Sequence, residues 1–462
     1  MFDLLEHVIN KTKHWTEVRY HDREMTLIQV RKGKVEKANS LRLRGVGIRV
    51  LVDGVFGFSS TNDITRKGLE EALKNAIKAA EKSRESKKHK VKLSSKNLAT
   101  GDYSAKITDS VRNHPIDEKI EFALKCEEKI RSRSKKIISG NVLYREYVDE
   151  KFIMTSDGVK VHLFDMKPEF HFSAVACANG EMATYHTSKG VTGGWYELFG
   201  KIDEEKLIEE VVQKAVDLLK ADYPEGGEAI CILDPAIVGL LAHEAIGHTV
   251  EADHVLSGSI VKDKIGQKVA SELITLCDAG NLPDYPDAGG TIYVDDEGVN
   301  AQKVVIIDKG ILKSYLHNRE TAEIFGVEPT GNARAFEYSD MPIIRMRNTY
   351  IEPGDADLEE MIEEVKEGYF LKGALGGQAD MNAEFMFGVQ EAYKIENGKL
   401  KKLLKGVTIS GQAFEVLKSV DKVSRDFKFD LGSGHCGKMQ LAKVDAGGPY
   451  LRCRAIIGGK QS

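Results

Sequence analysis

The chain has 462 residues, 42% of them hydrophobic and 30% charged, an ordinary globular composition at a length that calls for two or three domains. A formal charge of −5 and a pI near 6.3 exclude a general nucleic-acid or membrane footprint. No apolar run reaches the length of a membrane span and the first residues lack a secretory signal, so a cytoplasmic location is expected; six scattered cysteines without a Cys-x-x-Cys pair exclude a disulfide scaffold and a zinc ribbon.

Taken in chain order, the first element is a short amphipathic helix over residues 2–12. Strands follow at 17–21, 25–31, 41–52 and 55–60, the last two joined by Asp53-Gly54, a hairpin pair. Apolar Leu69, Ala72, Ile77 and Ala80 recurring among charges predict a helix from 65 to about 87. The basic cluster Lys87-Lys88-His89-Lys90-Val91-Lys92 reads as a solvated helix end and hairpin rather than a nucleic-acid patch, given the acidic balance of the whole. A helix at 116–131, strands within 137–172 and a helix at 207–219 come next. Tyr223-Pro224-Glu225-Gly226-Gly227 has linker composition and divides the chain into an N-terminal α+β domain, 1–222, and a C-terminal domain, 223–462.

Beyond the linker a strand at 229–233 leads to Asp234 and Pro235, a helix cap followed by a favourable first helical residue. The remainder is glycine-rich and strand-like, with a strand at 303–308 and helices at 319–325 and 358–367. The fold class is α+β, with the chemistry in a sheet-dominated second domain.

The most informative segment is His243-Glu244-Ala245-Ile246-Gly247-His248, which follows the apolar run Ile237 to Ala242. Two imidazoles and a carboxylate are costly to bury unless satisfied, and a bound metal satisfies them together. In metallohydrolases the histidines hold the ion and the glutamate takes a proton from the metal-bound water. The common spacing puts the histidines four apart, about 400° of rotation and so on one face. A spacing of five leaves them about 140° apart on an ideal helix. The metal reading therefore predicts a helix distorted or ended near Gly247. The plainer reading is a regular helix with Glu244, His248 and Glu251 on one solvated stripe.

A catalytic zinc takes three protein ligands. Nearby candidates for the third are Glu251, Asp253 and His254; distant ones are His435, Cys436 and Cys453. Cys436 lies in Gly432-Ser433-Gly434-His435-Cys436-Gly437-Lys438, where Lys438 would favour the thiolate; a lone cysteine is otherwise a small buried hydrophobe. The same segment mimics the start of a phosphate-binding loop, but Met439 replaces the hydroxyl that would hold magnesium, and too little chain follows for a nucleotide domain. Asp295-Asp296-Glu297-Gly298 lacks the ligand alternation of a calcium loop and reads as a turn. Gly373 to Gln378 reads as a tight turn or a glycine strand lying close to another backbone rather than an anion cradle.

Several of these segments, in order, resemble one family. His243 to His248 with Thr249-Val250-Glu251-Ala252-Asp253 resembles the signature of the TldD/PmbA metalloproteases, in their catalytic TldD-like branch. So do Asp295-Asp296-Glu297-Gly298 leading to Gly310-Ile311-Leu312-Lys313, Gly326 to Asn332, Arg345 to Tyr350, Gly376-Gly377-Gln378, Glu391-Ala392-Tyr393 with Glu396-Asn397-Gly398, and Cys436-Gly437-Lys438. Gly45 to Val50 and Gly57-Phe58 are similar to the family's first domain. The resemblance implies zinc held by His243, His248 and Cys436, with Glu244 as general base. It implies hydrolysis of unfolded or extended peptides, and a homodimer or a heterodimer with a PmbA/TldE-type subunit. His317 and Arg334 are guesses for a second oxyanion donor. The alternative function is a non-catalytic regulator that binds a peptide or partner protein around a structural metal, in keeping with the family's historical label as a modulator of DNA gyrase. Glu244 discriminates the two, since a structural site has no use for a carboxylate beside its first ligand.

Overall fold

A computed structural model describes residues 1–84 and 90–459. An eight-stranded sheet uses the first part of the chain. Its strands lie in the order Val55–Thr61, Lys34–Val52, Trp15–Arg31, Ile137–Thr155, Lys160–Met166 and Thr100–Ser104, and Glu169–Ala178 and Glu181–Gly190 extend it from the Ile137–Thr155 strand. The two separate strands expected at 17–21 and 25–31 are one, Trp15–Arg31. The charged stretch between them stays in register because each charge finds a partner across the sheet: Arg23 forks onto Asp149, and Asp22 accepts from Arg42. Asp53 and Gly54 both take positive φ, as the tight hairpin requires.

Three longer helices cover this part. Arg66–Ser83 is capped by Thr65, whose side chain accepts from Gly68 N, and buries Leu69, Ala72, Leu73, Ala76 and Ala80 at helical spacing. It ends short of the expected 87, and residues 85–89, with most of the basic cluster, lie outside the described residues. Ile116–Ser132 and Glu204–Leu218 pack in one core with Tyr144, Phe170 and Phe172. The first helix, Phe2–Ile9, is a turn shorter than expected.

The second sheet has eleven strands. Gly227–Leu233 pairs with both Glu367–Ala379 and Asp445–Gly458, and the order continues through Glu384–Glu396 and Val407–Gln412 back to Asp445–Gly458. These five strands form a closed ring. Along Glu384–Glu396, Phe385, Phe387 and Val389 point inward and Glu384 and Met386 outward, the alternation that the pleat dictates. Gly373 to Gln378 lies within a strand, and a Cβ at Gly377 would meet the Met386 carbonyl, so this glycine permits close backbone approach. The strand Lys303–Asp308 and the helix Arg319–Phe325 fall where expected; the helix Leu358–Glu363 ends earlier than 367.

A helix starts at Pro235 from the end of the Gly227–Leu233 strand. Asp234 caps it, accepting from Ile237 N at 3.0 Å. Its residues are buried on all sides, and Ile237, Leu241 and Ala245 share a core with Phe385, Phe387, Ile409 and Ile457. Ion pairs tie the second body to the first part of the chain: Glu297 with Arg49, Asp296 with Lys151 and Glu169 with Lys443 inside, and Arg319 with the exposed turn residue Asp157. Among the described residues no helix is long and apolar enough to cross a membrane.

Candidate metal centre

The buried helix does not keep a regular winding. After Leu240 it widens into a π turn over Leu241–Gly247 and then tightens into a 3-10 turn over His248–Val250. In a π turn the residue five along completes the turn, so the spacing of five that splits the histidines on an ideal helix brings them together here. Their rings stand 5.5 Å apart, nearly perpendicular. Gly247 is needed at this point for space: a Cβ there would run into Met346 Sδ.

A third candidate donor comes from far along the chain. Cys436 lies on the hairpin of His435–Lys438 and Gln440–Lys443, and its sulfur is 3.1 Å from His248 Nε2. Ligand atoms of His243, His248 and Cys436 all lie within 4.8 Å of one another. Arg345 pins the hairpin by donating to the carbonyls of Cys436 and Gln440 at 2.6 and 2.7 Å.

Electrostatics favour a ligand-ready thiol. Burial alone would raise it, but the charge of the His243 and His248 imidazoles and the hydrogen bond from His248 pull Cys436 down to about 4. Burial opposes charge on His248 as well, yet its hydrogen bonds to Cys436 and Glu251 push it up to about 10. Lys438, expected to favour the thiolate, is instead committed to Glu251 at 3.0 Å and Asp253 at 2.7 Å. The thiolate is set by the histidines.

Glu251 is fully buried and accepts from His248 Nδ1 at 3.0 Å, which leaves Nε2 free to face the sulfur. Burial would raise this carboxyl, but His248 and Lys438 hold it down to about 2. His248, Glu251 and His254 also lie close enough to hold an ion. The ammonium of Lys438 already balances Glu251 there, and His254 Nδ1 is 2.9 Å from the His248 carbonyl oxygen.

Glu244 is a quarter exposed, with one oxygen 3.8 Å from His248 Nε2, at the accessible side of the centre. The remaining candidates lie elsewhere. His435 points away among Arg145, Glu169 and Tyr147. Cys453 lies opposite Cys231 on the neighbouring antiparallel strand, where burial raises both thiols. Asp253 serves Lys438. His317 is buried beside Thr321, and burial lowers it to about 4. Arg334 donates to the Met346 carbonyl at 2.9 Å. Sequence reasoning missed Met346, Arg345 and the bracing role of Lys438. Only the spacing of Lys438 two residues beyond Cys436 hinted at the last.

The donor set suits a metal. His243 is buried with both ring nitrogens lacking a hydrogen-bond partner, a costly state for an imidazole that a bound metal would relieve. Two imidazoles and a thiolate are zinc ligands.

Comparison with known proteins finds matches along most of the chain. Three family models match: the PmbA/TldA metallopeptidase domain 1 at residues 16–80, the central domain at 109–219 and the C-terminal domain at 226–457. A metalloprotease of Methanothermobacter thermautotrophicus is 35% identical over 449 residues, covering 96% of this chain and 95% of its own. A zinc metalloprotease TldD homolog of Saccharolobus solfataricus is 32% identical over 417 residues, 90% of each chain. The crystal structure of TldE from Thermococcus kodakarensis has the same fold, with a TM-score of 0.75 at 20% identity, covering 98% of this chain and 100% of that one.

Proposed function

The chain belongs to the TldD/PmbA metallopeptidase family, and on that premise we propose that it is a zinc-dependent peptidase acting on unfolded or extended peptides. The observation that carries this reading is His243, buried with two unpartnered nitrogens, beside His248 and the Cys436 sulfur. In this reading His243, His248 and Cys436 hold the metal. Zinc, when bound, supplies Lewis acidity toward a water and a peptide carbonyl.

The chain's own groups do the rest. Glu244, beside the first ligand and partly exposed, takes the proton of the attacking water and returns it to the leaving amine. Glu251 fixes the His248 ring so that Nε2 faces inward. An extended substrate has a place to lie. The Glu367–Ala379 strand pairs with Gly227–Leu233 only through Leu371, so residues 374–379 keep a free edge among the described residues, and this strand packs against the π turn. Backbone pairing along that edge suits unfolded chains and reads little side-chain identity. A second copy or a TldE-type subunit would enclose the site.

The test is turnover of an unstructured peptide by zinc-loaded protein. Glu244→Gln should retain zinc and lose about 100-fold or more in rate, and a chelator should abolish cleavage reversibly. Cleavage by Glu244→Gln at the wild-type rate would overturn the general-base assignment. Zinc binding with no cleavage of any unfolded peptide, even with a TldE-type partner supplied, would put the regulator in its place.

A further inference from the structure

A cavity of about 60 Å³ lies where the first sheet meets the hairpin that carries Cys436. One water needs about 10–15 Å³ by this measure, so there is room for a compact polar group. Five cationic side chains line it, Arg23, Lys151, Lys167, Arg334 and Lys443, against three carboxylates, Asp149, Asp165 and Asp296.

The pairings leave positive charge over. Asp149 is shared by Arg23, at 2.6 and 2.8 Å, and His21 at 2.7 Å. Asp296 is divided between Lys151 at 2.8 Å and Arg19 at 3.5 Å. Lys443 has Glu169 behind the wall. Lys167 gives its close hydrogen bonds to Thr192 Oγ1 and Thr291 O, both at 2.8 Å, and reaches Asp165 only at 3.6 Å. Arg334 has no ion pair among the described residues. Arg23, 7% exposed, leaves Nη1 without a hydrogen bond. A guanidinium cannot shed its proton to escape such a site, so surplus buried cations facing a cavity call for an anion. Burial, with the like charges of Arg334 and Lys443, lowers Lys167 to about 8, the direction expected where cations crowd together.

We propose that this cavity is an oxyanion subsite that takes the C-terminal carboxylate of a peptide. The peptide as the source rests on the peptidase reading; the preference for an oxyanion does not. The location fits. The Gln440–Lys443 strand, which lines the cavity, pairs with the strand carrying Cys436, and neighbouring strands are about 4.8 Å apart. Arg334 holds the carbonyl of Met346, which packs on Gly247 beside His248. A planar guanidinium with free donors matches a carboxylate in a two-point contact.

Calorimetric binding to the full-length Glu244→Gln protein tests this without turnover. An unstructured peptide should bind about tenfold tighter as the free acid than as the C-terminal amide, the worth of one charge-assisted contact. Added Arg334→Gln should erase that difference, and inorganic phosphate should compete with the acid form. If Arg334→Gln fails to fold, the acid-to-amide ratio and its fall with salt still decide. Phosphate binding that depends on Arg334, with acid and amide peptides equal, would keep the oxyanion subsite and overturn the peptide assignment. Equal binding of acid and amide with no binding of phosphate would overturn both. Loss of turnover in the wild-type assay bears on the peptidase reading and leaves these binding results unchanged.

Discussion

Replacing Glu251 by glutamine is the most searching perturbation of the centre. The carboxylate is fully buried, accepts from His248 Nδ1 and Lys438 Nζ at 3.0 Å each, and is held at about 2 against an ordinary 4.5. At about 1.4 kcal/mol per unit the charged form contributes on the order of 3 kcal/mol to folding. Because the folded value is depressed, this term is fully present above pH 4.5 and is lost as pH falls toward 2. Glu251→Gln should therefore destabilise the metal-free protein at neutral pH by up to about 3 kcal/mol, less whatever Lys438 recovers from Asp253. The gap to wild type should close as the solution is acidified below pH 4.5. The same change frees the His248 ring, and loss of such a bracing carboxylate weakens metal binding by about 10–100-fold. Denaturant melts at two pH values and a zinc competition with a chromophoric chelator measure both effects. A variant that holds zinc within about twofold of wild type would refute the bracing role, whatever its melt shows.

Two further changes follow from local geometry. Gly247→Ala drives a Cβ into Met346 Sδ and should cost about 1–3 kcal/mol in a melt, with weaker zinc binding; Met346→Ala in the same chain should restore the zinc affinity if the clash is the cause, and failure to restore it would implicate the backbone itself. Asp234 is raised from 3.8 to about 6, chiefly by burial, with hydrogen bonds from Ile237 and Gly373 only partly offsetting it. Its folded form holds a proton more tightly than the unfolded chain, so it costs stability as pH rises from 3.8 through 6, about 3 kcal/mol in full. Asp234→Asn keeps the cap acceptor and should flatten that slope in pH-dependent melts. A variant much less stable than wild type at pH 7 would mean that the helix start needs the charge.

What the sequence determined by itself is the local chemistry. If both histidines are to hold a metal, a spacing of five with a glycine before the second calls for a helix distorted or ended near Gly247, and the π turn at Leu241–Gly247 is such a distortion. Helix 66–83, the Asp53-Gly54 hairpin and the Asp234-Pro235 helix start were legible for the same reason, since periodicity, caps and turns depend on neighbours in the chain. The third proposed donor was not legible from spacing. Cys436 stands 188 residues from His248, and six candidates were open until the family resemblance singled it out.

Tertiary structure decided what depends on long-range register. It joined two expected strands into Trp15–Arg31, because partners for Asp22 and Arg23 exist only across the sheet. It moved Lys438 from the thiolate to Glu251 and Asp253, and it assembled a cationic cavity from residues 23 to 443. Ion pairs and cavities of this kind arise from strand pairings between distant segments, and no local pattern encodes which charges will meet.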